Sequence, residues 1–201
     1  GTATVCVRLA GIAAIWVASF KIPDLRSFED RKVINSTKIY DRTGEVLLYD
    51  INKDIKRTDI AFADMGTNIK NATVAVEDAE FYNHNGIRVS SIFRATIWAK
   101  LTGKKVTGGS TITQQLIKNT LLNARVTPAR KIKEWVLATK LEKVLTKDEI
   151  LAMYLNESPY GGSIYGVEEA SQVYFGKKAL ELTVAESAYL AALPQAPTYF
   201  S

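Results

Sequence analysis

Cysteine and histidine are almost absent from this 201-residue chain, which contains one of each, Cys6 and His84. A single cysteine cannot form an intrachain disulfide, and one cysteine with one histidine cannot supply the ligands of a zinc site. We therefore predict no zinc site and no metal ligands among the site residues. A Ser-His-Asp hydrolase is also excluded, because no G-x-S-x-G nucleophile elbow accompanies the histidine. The glycine-rich run at residues 161–166 lacks G-x-G-x-x-G spacing and follows a helical pattern, so it does not support a dinucleotide site.

The chain also has no apolar run long enough to cross a bilayer. Residues 9–20 are apolar except for Ser19, but as a helix they would reach only about 18 Å, against a bilayer core of about 30 Å. Trp16 and Lys21 near the end of this run are typical of a membrane interface. We interpret residues 1–21 as part of a transmembrane anchor and residues 22–35 as a charged linker. A signal-peptide core and a buried helix are the alternatives, and the lack of an A-x-A pattern before Lys21 argues against the first.

The charge of the chain is uneven. Between Lys100 and Lys147 there are eleven Lys and Arg residues against two Glu, a local net charge of +9, so the rest carries −4 of the +5 total. Such a field suits anionic lipid, a pyrophosphate or nucleic acid. We exclude nucleic acid as a partner, because no recognition motif or aromatic-rich strand accompanies the cations. Hydrophobic residues at 47% and charged residues at 23% are typical of a globular domain.

The hydrophobic pattern predicts a mainly α fold with one β-hairpin. The hairpin pairs residues 37–40 with 45–49 around Gly44. Helices are predicted at residues 71–82, 91–101 and 128–145, the last capped by Thr127. Two further helices begin at the capping boxes after Thr146 and Thr183, so their acidic members, Glu149 and Glu186, are interpreted as caps.

The most distinctive polar stretch is residues 108–115. Its glycines let a backbone approach a ligand, and its hydroxyls and amides can bind sugar hydroxyls or a phosphate. Thr111 and Gln114 have capping-box spacing, which predicts a helix whose free N–H groups form an anion site. A polar loop entering a helix is the alternative interpretation.

Two glutamates near this stretch differ in their surroundings. Glu77 lies on a largely apolar helix with Asp78 next to it, so burial and the neighbouring charge are expected to raise its pKa, as a general base requires. Glu134 lies among cations, which favour its ionised form. The cations and the glycine turn suit a leaving group on which negative charge develops. The cations named for this role are Lys118, Arg130 and Lys131.

Five ordered motifs together resemble the peptidoglycan glycosyltransferases, the lysozyme-like family that polymerises lipid II into glycan strands. The resemblance covers residues 36–201. The motifs are Glu77-Asp78 with Phe81, His84 and Gly86; residues 109–115; Arg130-Lys131 with Lys133-Glu134; residues 150–156; and Ala185-Glu186 with Ala188 and Leu190-Ala191.

The resemblance implies a two-lobed, lysozyme-like fold with a small hairpin. Residues 87–107 are predicted to form a mobile, membrane-facing jaw, because apolar side chains such as Phe93 and Trp98 and the basic edge at residues 102–105 suit a lipid surface. Packing of this apolar face on the core is the alternative.

The resemblance implies that Glu77 and Glu134 are the catalytic residues and that the substrate contacts come from the second and third motifs. The substrate-binding residues are Asp78, Gly109, Ser110, Thr111, Gln114, Gln115, Lys118, Arg130 and Lys131. His84 is interpreted as structural, holding the turn before Gly86, and the tyrosines Tyr154 and Tyr160 as core or groove wall.

The implied substrates are lipid II and a lipid-linked glycan chain. The implied location is the bacterial plasma membrane, with a single-pass anchor and the catalytic domain on the extracytoplasmic side. No cofactor is required by the sequence, and a divalent cation, Mg²⁺ or Mn²⁺, at the pyrophosphate is left open. Residues 163–167 and the hairpin resemble bifunctional class A penicillin-binding proteins, so a fused transpeptidase domain outside this chain is expected.

Two other functions compete with this interpretation. A lytic glycosidase acting on finished cell wall would gain nothing from the +9 field, because its substrate bond carries no phosphate. A non-catalytic scaffold on anionic lipid would explain the charge and the apolar helix. It would not explain Glu77 or the run of hydroxyls and amides that follows Gly109.

Overall fold

The computed structural model describes Ser19 and residues 37–40, 42–43, 47–51, 56–88, 90, 109–122 and 127–195. Apart from Ser19, the predicted anchor and linker lie outside the described residues. The helix predicted at residues 91–101 also lies outside them, as does most of the predicted jaw. Within the described ranges, no helix combines the length and apolar character needed to cross a membrane.

The described residues are mainly helical, as predicted. The six α-helices among them are α1 (Thr67–Glu77), α2 (Ile112–Leu121), α3 (Pro128–Leu141), α4 (Lys147–Glu157), α5 (Val167–Phe175) and α6 (Val184–Ala192). Short 3-10 turns lie at Phe62–Asp64, Phe81–Asn83, Ala179–Glu181 and Leu193–Gln195.

Two small sheets accompany the helices. Strands β1 (Thr37–Tyr40) and β2 (Leu47–Ile51) form the predicted antiparallel hairpin, in a register that opposes Thr37 to Ile51. The start predicted for the second strand, at residues 45–46, lies outside the described residues. A parallel pair, β3 (Lys56–Arg57) with β4 (Ile164–Tyr165), was not predicted. Each of these strands has two residues, too few to display a period of two, and their partners are distant in the chain.

Threonine caps begin four of the helices where the sequence predicted them. The side chains of Thr111, Thr146 and Thr183 form complete capping boxes at α2, α4 and α6, and Thr127 caps α3. Each box satisfies two backbone N–H groups that the helix itself leaves free. Glu149 and Glu186 are thus confirmed as caps.

Three helix boundaries differ from the prediction, and the first is the start of α1 at Thr67, four residues before the predicted residue 71. The other two are early helix ends. Helix α1 ends at Glu77 rather than near residue 82, because the backbone leaves helical geometry at Asp78, with φ −160° and ψ 76°. The chain then buries Phe81 in a 3-10 turn. Helix α3 ends at Leu141, four residues early. The next residue, Glu142, accepts hydrogen bonds from Thr113 and Lys147, which tie this corner to α2 and α4.

Helix α2 and the residues just before it carry most of the predicted substrate-binding residues, and the helix contacts two other helices. It packs against α3 and α4, while α1 packs along α6. Ile112, Leu116 and Ile117 of α2 are essentially inaccessible to solvent. Burying each such side chain stabilises the fold by about 1.5–3 kcal/mol. The polar residues of α2 are therefore held on a well-packed helix.

Gly86 should tolerate no side chain. Its φ is +83°, and a Cβ there would lie 2.8 Å from the carbonyl oxygen of Ala138 in α3. Gly86→Ala should therefore lower the free energy of unfolding by about 2–4 kcal/mol in urea titrations. Gly162→Ala is the matched control: φ is +52°, but nothing lies within 4 Å of the added Cβ, so only about 1 kcal/mol should be lost. Equal losses would contradict the close packing at Gly86.

Glu186 predicts an acid-sensitive contribution to stability. The hydrogen bond from Lys177, followed by those from Thr183, lowers the pKa of Glu186 from its ordinary value of 4.5 to about 2. A carboxylate with a lowered folded-state pKa stabilises the fold above pH 4.5, and this contribution is lost as the pH falls towards 2. The melting temperature of Glu186→Gln should therefore be lower than that of the parent chain at neutral pH and equal to it at pH 2. A melting-temperature difference that is constant over this interval would contradict the assignment.

Candidate active site

Glu77 is the last residue of α1 and is half-buried. Its Oε2 accepts a hydrogen bond of 2.7 Å from Nε2 of Gln115, in the first turns of α2. Because Glu77 ends its helix, its carboxylate lies where α1 meets α2 rather than midway along an exposed face. The position suits a base that must reach a substrate.

Two buried tyrosines stand beside Glu77. Tyr154 on α4 and Tyr160 after it are each 1% exposed. Burial, followed by the charge of Glu77, raises the pKa of both phenols, that of Tyr154 well above its ordinary value. Both phenols therefore stay neutral, as in a core or groove wall. The hydroxyl of Tyr154 also lies 3.5 Å from Oε1 of Gln115.

The sequence predicted only that Tyr154 belongs to the core or to the wall of the groove. Its helical spacing with Leu151 and Leu155 signals burial, and the structure confirms that these neighbours are inaccessible. Nothing in that spacing shows that the hydroxyl points towards Gln115, which lies on another helix. Only the packing of α4 against α2 brings the two side chains together.

Glu134 is 1% exposed and forms an ion pair with Lys131, one turn earlier on α3. The Nζ of Lys131 also donates to Oγ of Ser110, at 3.0 Å. A buried carboxylate is costly unless it is paired, and Lys131 supplies the compensating charge. Lys131 therefore joins α3 to the residue that precedes the cap of α2.

The N-terminus of α2 already holds a carboxylate of the protein. Oδ2 of Asp78 accepts from the backbone N–H of Ile112 at 3.2 Å and lies 2.8 Å from Nε2 of His84. The expectation that this helix end offers a free anion site is therefore wrong for the N–H of Ile112. The pairing agrees with a structural role for His84 and gives Asp78 one as well.

The capping residues of α2 are also committed to internal bonds. Oγ1 of Thr111 donates to the carbonyl of Gly86 at 2.6 Å, and Thr111 and Gln114 complete each other's capping bonds. Both side chains are at most 2% exposed. Their predicted contacts with substrate, and that of Asp78, stay predictions, while their positions favour shaping the turn.

The remaining predicted residues are more accessible. Gly109, Ser110, Gln115, Arg130 and Lys131 are half-buried, and Lys118 is exposed on α2 one turn beyond Gln115. The structure therefore brings the predicted binding residues to α2, the residues before it and the first turn of α3.

The stretch from Ser110 to Gln115 connects the two predicted catalytic carboxylates. At one end Ser110 leads through Lys131 to Glu134, and at the other Gln115 binds Glu77. The helical residues between these ends rise only about 6 Å. The stretch from Ser110 to Gln115 thus lies between the two glutamates, as expected. That both glutamates face one elongated cleft stays a prediction.

The described residues do not fit a metal site built from protein ligands alone. No three His, Cys, Asp or Glu side chains among them converge on one point. Glu134 is instead compensated by Lys131. A divalent cation held by the substrate's pyrophosphate stays an open prediction.

A family model described as Transglycosylase matches residues 44–201. The chain belongs to the transglycosylase family. This transglycosylase chain is 41% identical over 202 residues to penicillin-binding protein 1A of Clostridium tetani, an alignment that covers 97% of the chain and 25% of that protein.

Two further relatives have a similar percentage of residues identical to this chain. Penicillin-binding protein 1F of Bacillus subtilis is 42% identical over 177 residues, covering 86% of the chain and 24% of the relative. Penicillin-binding protein 1A of Escherichia coli is 39% identical over 201 residues, covering 98% and 23%. The transglycosylase chain thus spans about a quarter of the length of these relatives.

Removing the charge of Lys131 should destabilise the transglycosylase fold. Lys131→Met leaves Glu134 buried without its paired cation, and we expect a loss of about 1–3 kcal/mol, since Lys131 itself is partly exposed. The double variant Lys131→Met with Glu134→Leu leaves no unpaired charge at this position and should recover at least half of the loss. Urea unfolding measures both. A double variant less stable than the single one would show that the ion pair does not offset the burial of Glu134.

Proposed function

We propose that this chain is a peptidoglycan glycosyltransferase that polymerises lipid II into glycan strands. The proposal is carried by one observation: in a member of the transglycosylase family, residues 110–115 connect a carboxylate bound by an amide to a carboxylate paired with a lysine. The first arrangement suits a general base. The second suits a site for the pyrophosphate.

In the proposed reaction, Glu77 takes the proton from the 4-hydroxyl of the lipid II acceptor. The oxygen attacks C1 of the lipid-linked glycan from the side opposite the pyrophosphate. The new glycosidic bond forms as the bond between C1 and the pyrophosphate oxygen breaks, with inversion, and both bonding electrons leave with the lipid pyrophosphate. Gln115 holds the carboxylate of Glu77 throughout.

The departing pyrophosphate needs cations and N–H donors, because its negative charge increases as the bond breaks. Lys131, at 38% side-chain exposure, and half-buried Arg130 lie in the first turn of α3, and Lys118 is exposed on α2. Glu134 keeps Lys131 in place from the buried side. The role of Glu134 is to hold the ammonium group of Lys131 in place while leaving it able to contact the substrate.

The proposed setting is the extracytoplasmic face of the bacterial plasma membrane, where the lipid-linked substrates reside. A single-pass anchor at residues 1–21, and an additional transpeptidase domain as part of the same protein, belong to this proposal. The similarity to penicillin-binding proteins over about a quarter of their length supports the second element. Gel analysis of products from lipid II, set against purified cell wall, separates polymerisation from lytic cleavage.

Glu77→Gln should abolish polymerisation of lipid II while the binding of the lipid-linked donor survives. The amide cannot accept the acceptor's proton, but the cations that hold the pyrophosphate are unchanged. Labelled lipid II assays measure the first effect and donor titration the second. An active Glu77→Gln enzyme would mean that another residue is the base.

Glu134→Gln should instead reduce turnover and donor affinity together. Without the carboxylate, Lys131 loses its ion pair and its position beside Ser110 becomes less fixed. The two variants are measured under identical conditions, so each serves as the other's control. Full retention of donor affinity in Glu134→Gln would remove Lys131 from the proposed pyrophosphate site.

A further inference from the structure

We propose that Tyr154 is a positioning residue for Glu77 and that it acts through Gln115. The hydroxyl of Tyr154 faces the carbonyl oxygen of the Gln115 amide and so keeps the amide nitrogen directed at the carboxylate. The inference rests on the proposed glycosyl transfer, in which Glu77 is the base.

The geometry assigns a different neighbour to each end of the Gln115 amide. Its nitrogen carries two hydrogens and donates to Oε2 of Glu77 at 2.7 Å. Its oxygen can only accept, and the nearby donor is the hydroxyl of Tyr154 at 3.5 Å. That distance lies at the long end for a hydrogen bond, and contacts of this kind often shorten once substrate is bound. Tyr154 therefore sets the orientation of the Gln115 amide and does not need to form a strong hydrogen bond with it.

Tyr154 is well suited to fix a direction because its ring is buried and its backbone is hydrogen-bonded. It is 1% exposed on α4, between Leu151 and Leu155, which are fully buried. Its backbone carbonyl accepts from both the hydroxyl and the N–H of Ser158, at 2.7 and 2.9 Å. The packing of α4 against α2 then holds the ring opposite Gln115.

The phenol of Tyr154 is a donor at every pH at which the enzyme works. Burial first, then the charges of Glu77 and Tyr160, raise its pKa well above the ordinary value, and a hydrogen bond between the phenol and the carboxylate of Glu77 raises it further. The hydroxyl of Tyr154 is therefore close to both Gln115 and Glu77, and a double-mutant cycle with Gln115 separates the two routes. The titratable groups next to Glu77 in the described structure include Tyr154 of α4 and Tyr160 after α4, with Asp78 following it in the chain. Asp78 is directed at the N–H of Ile112 and at His84.

Losing the hydroxyl of Tyr154 has a specific consequence for Glu77. The amide of Gln115 is then free to rotate by half a turn, which would place its oxygen against the carboxylate. Two acceptors repel each other unless one carries a proton, so the protonated form of Glu77 is favoured. A base that is protonated more readily becomes active only at higher pH.

The test measures kcat, KM and the acid limb of the pH–rate profile for lipid II polymerisation, using the 201-residue chain. Tyr154→Phe keeps the buried ring and should lower kcat about tenfold, with KM within about twofold and the acid limb moved to higher pH. Tyr174→Phe is the matched control. The hydroxyl of Tyr174 donates a hydrogen bond of 2.7 Å to the backbone oxygen of Tyr160. The control variant therefore also loses a phenolic hydrogen bond, but one that does not involve Gln115. The acid limb of its pH–rate profile should not move.

A double-mutant cycle tests whether the effect passes through Gln115. In a Gln115→Ala background, Tyr154→Phe should change neither kcat nor the acid limb further, because the amide is already gone. Additive effects, or a fall in kcat that tracks the melting temperature with the acid limb in place, would overturn the inference. A parent chain that makes no polymer would instead overturn the proposed function, before any variant is compared.

Discussion

The carboxylate of Asp78 is the contact on which the arrangement of the site depends. It joins the end of α1 to the start of α2 by accepting from the N–H of Ile112, and His84 binds the same oxygen. A carboxylate at a helix N-terminus is also favoured by the helix dipole. Because Glu77 directly precedes Asp78, this contact places Glu77 within reach of Gln115, one turn into α2.

Each of three buried carboxylates near α2 has a hydrogen-bond or ion-pair partner. Asp78 lies at its N-terminus, Glu134 is compensated by Lys131, and Glu142 accepts from Thr113 and Lys147. A desolvated carboxylate stabilises nothing by itself and needs a partner within hydrogen-bond reach. These contacts tie α2 to its neighbours, so Gln115 on α2 and Ser110 just before its cap are held in place.

Much of the candidate site followed from residue types and spacing. The capping boxes at Thr111, Thr146 and Thr183 could be predicted because each is decided within four consecutive residues. Which of the predicted binding residues are buried and which are accessible could not be predicted. Thr111 and Gln114 are buried in their own cap, whereas Gln115 binds Glu77, although all three belong to one polar run.

The sequence by itself determined the elements whose signals are local: the hairpin, the helix caps, the mainly α composition and the pair of glutamates beside a polar turn. Tertiary structure alone decided that α1 ends at Glu77, that β3 pairs with β4 and that Tyr154 faces Gln115. Each of these depends on groups distant in the chain. A helical or strand period describes one segment, and only packing decides which segment it meets.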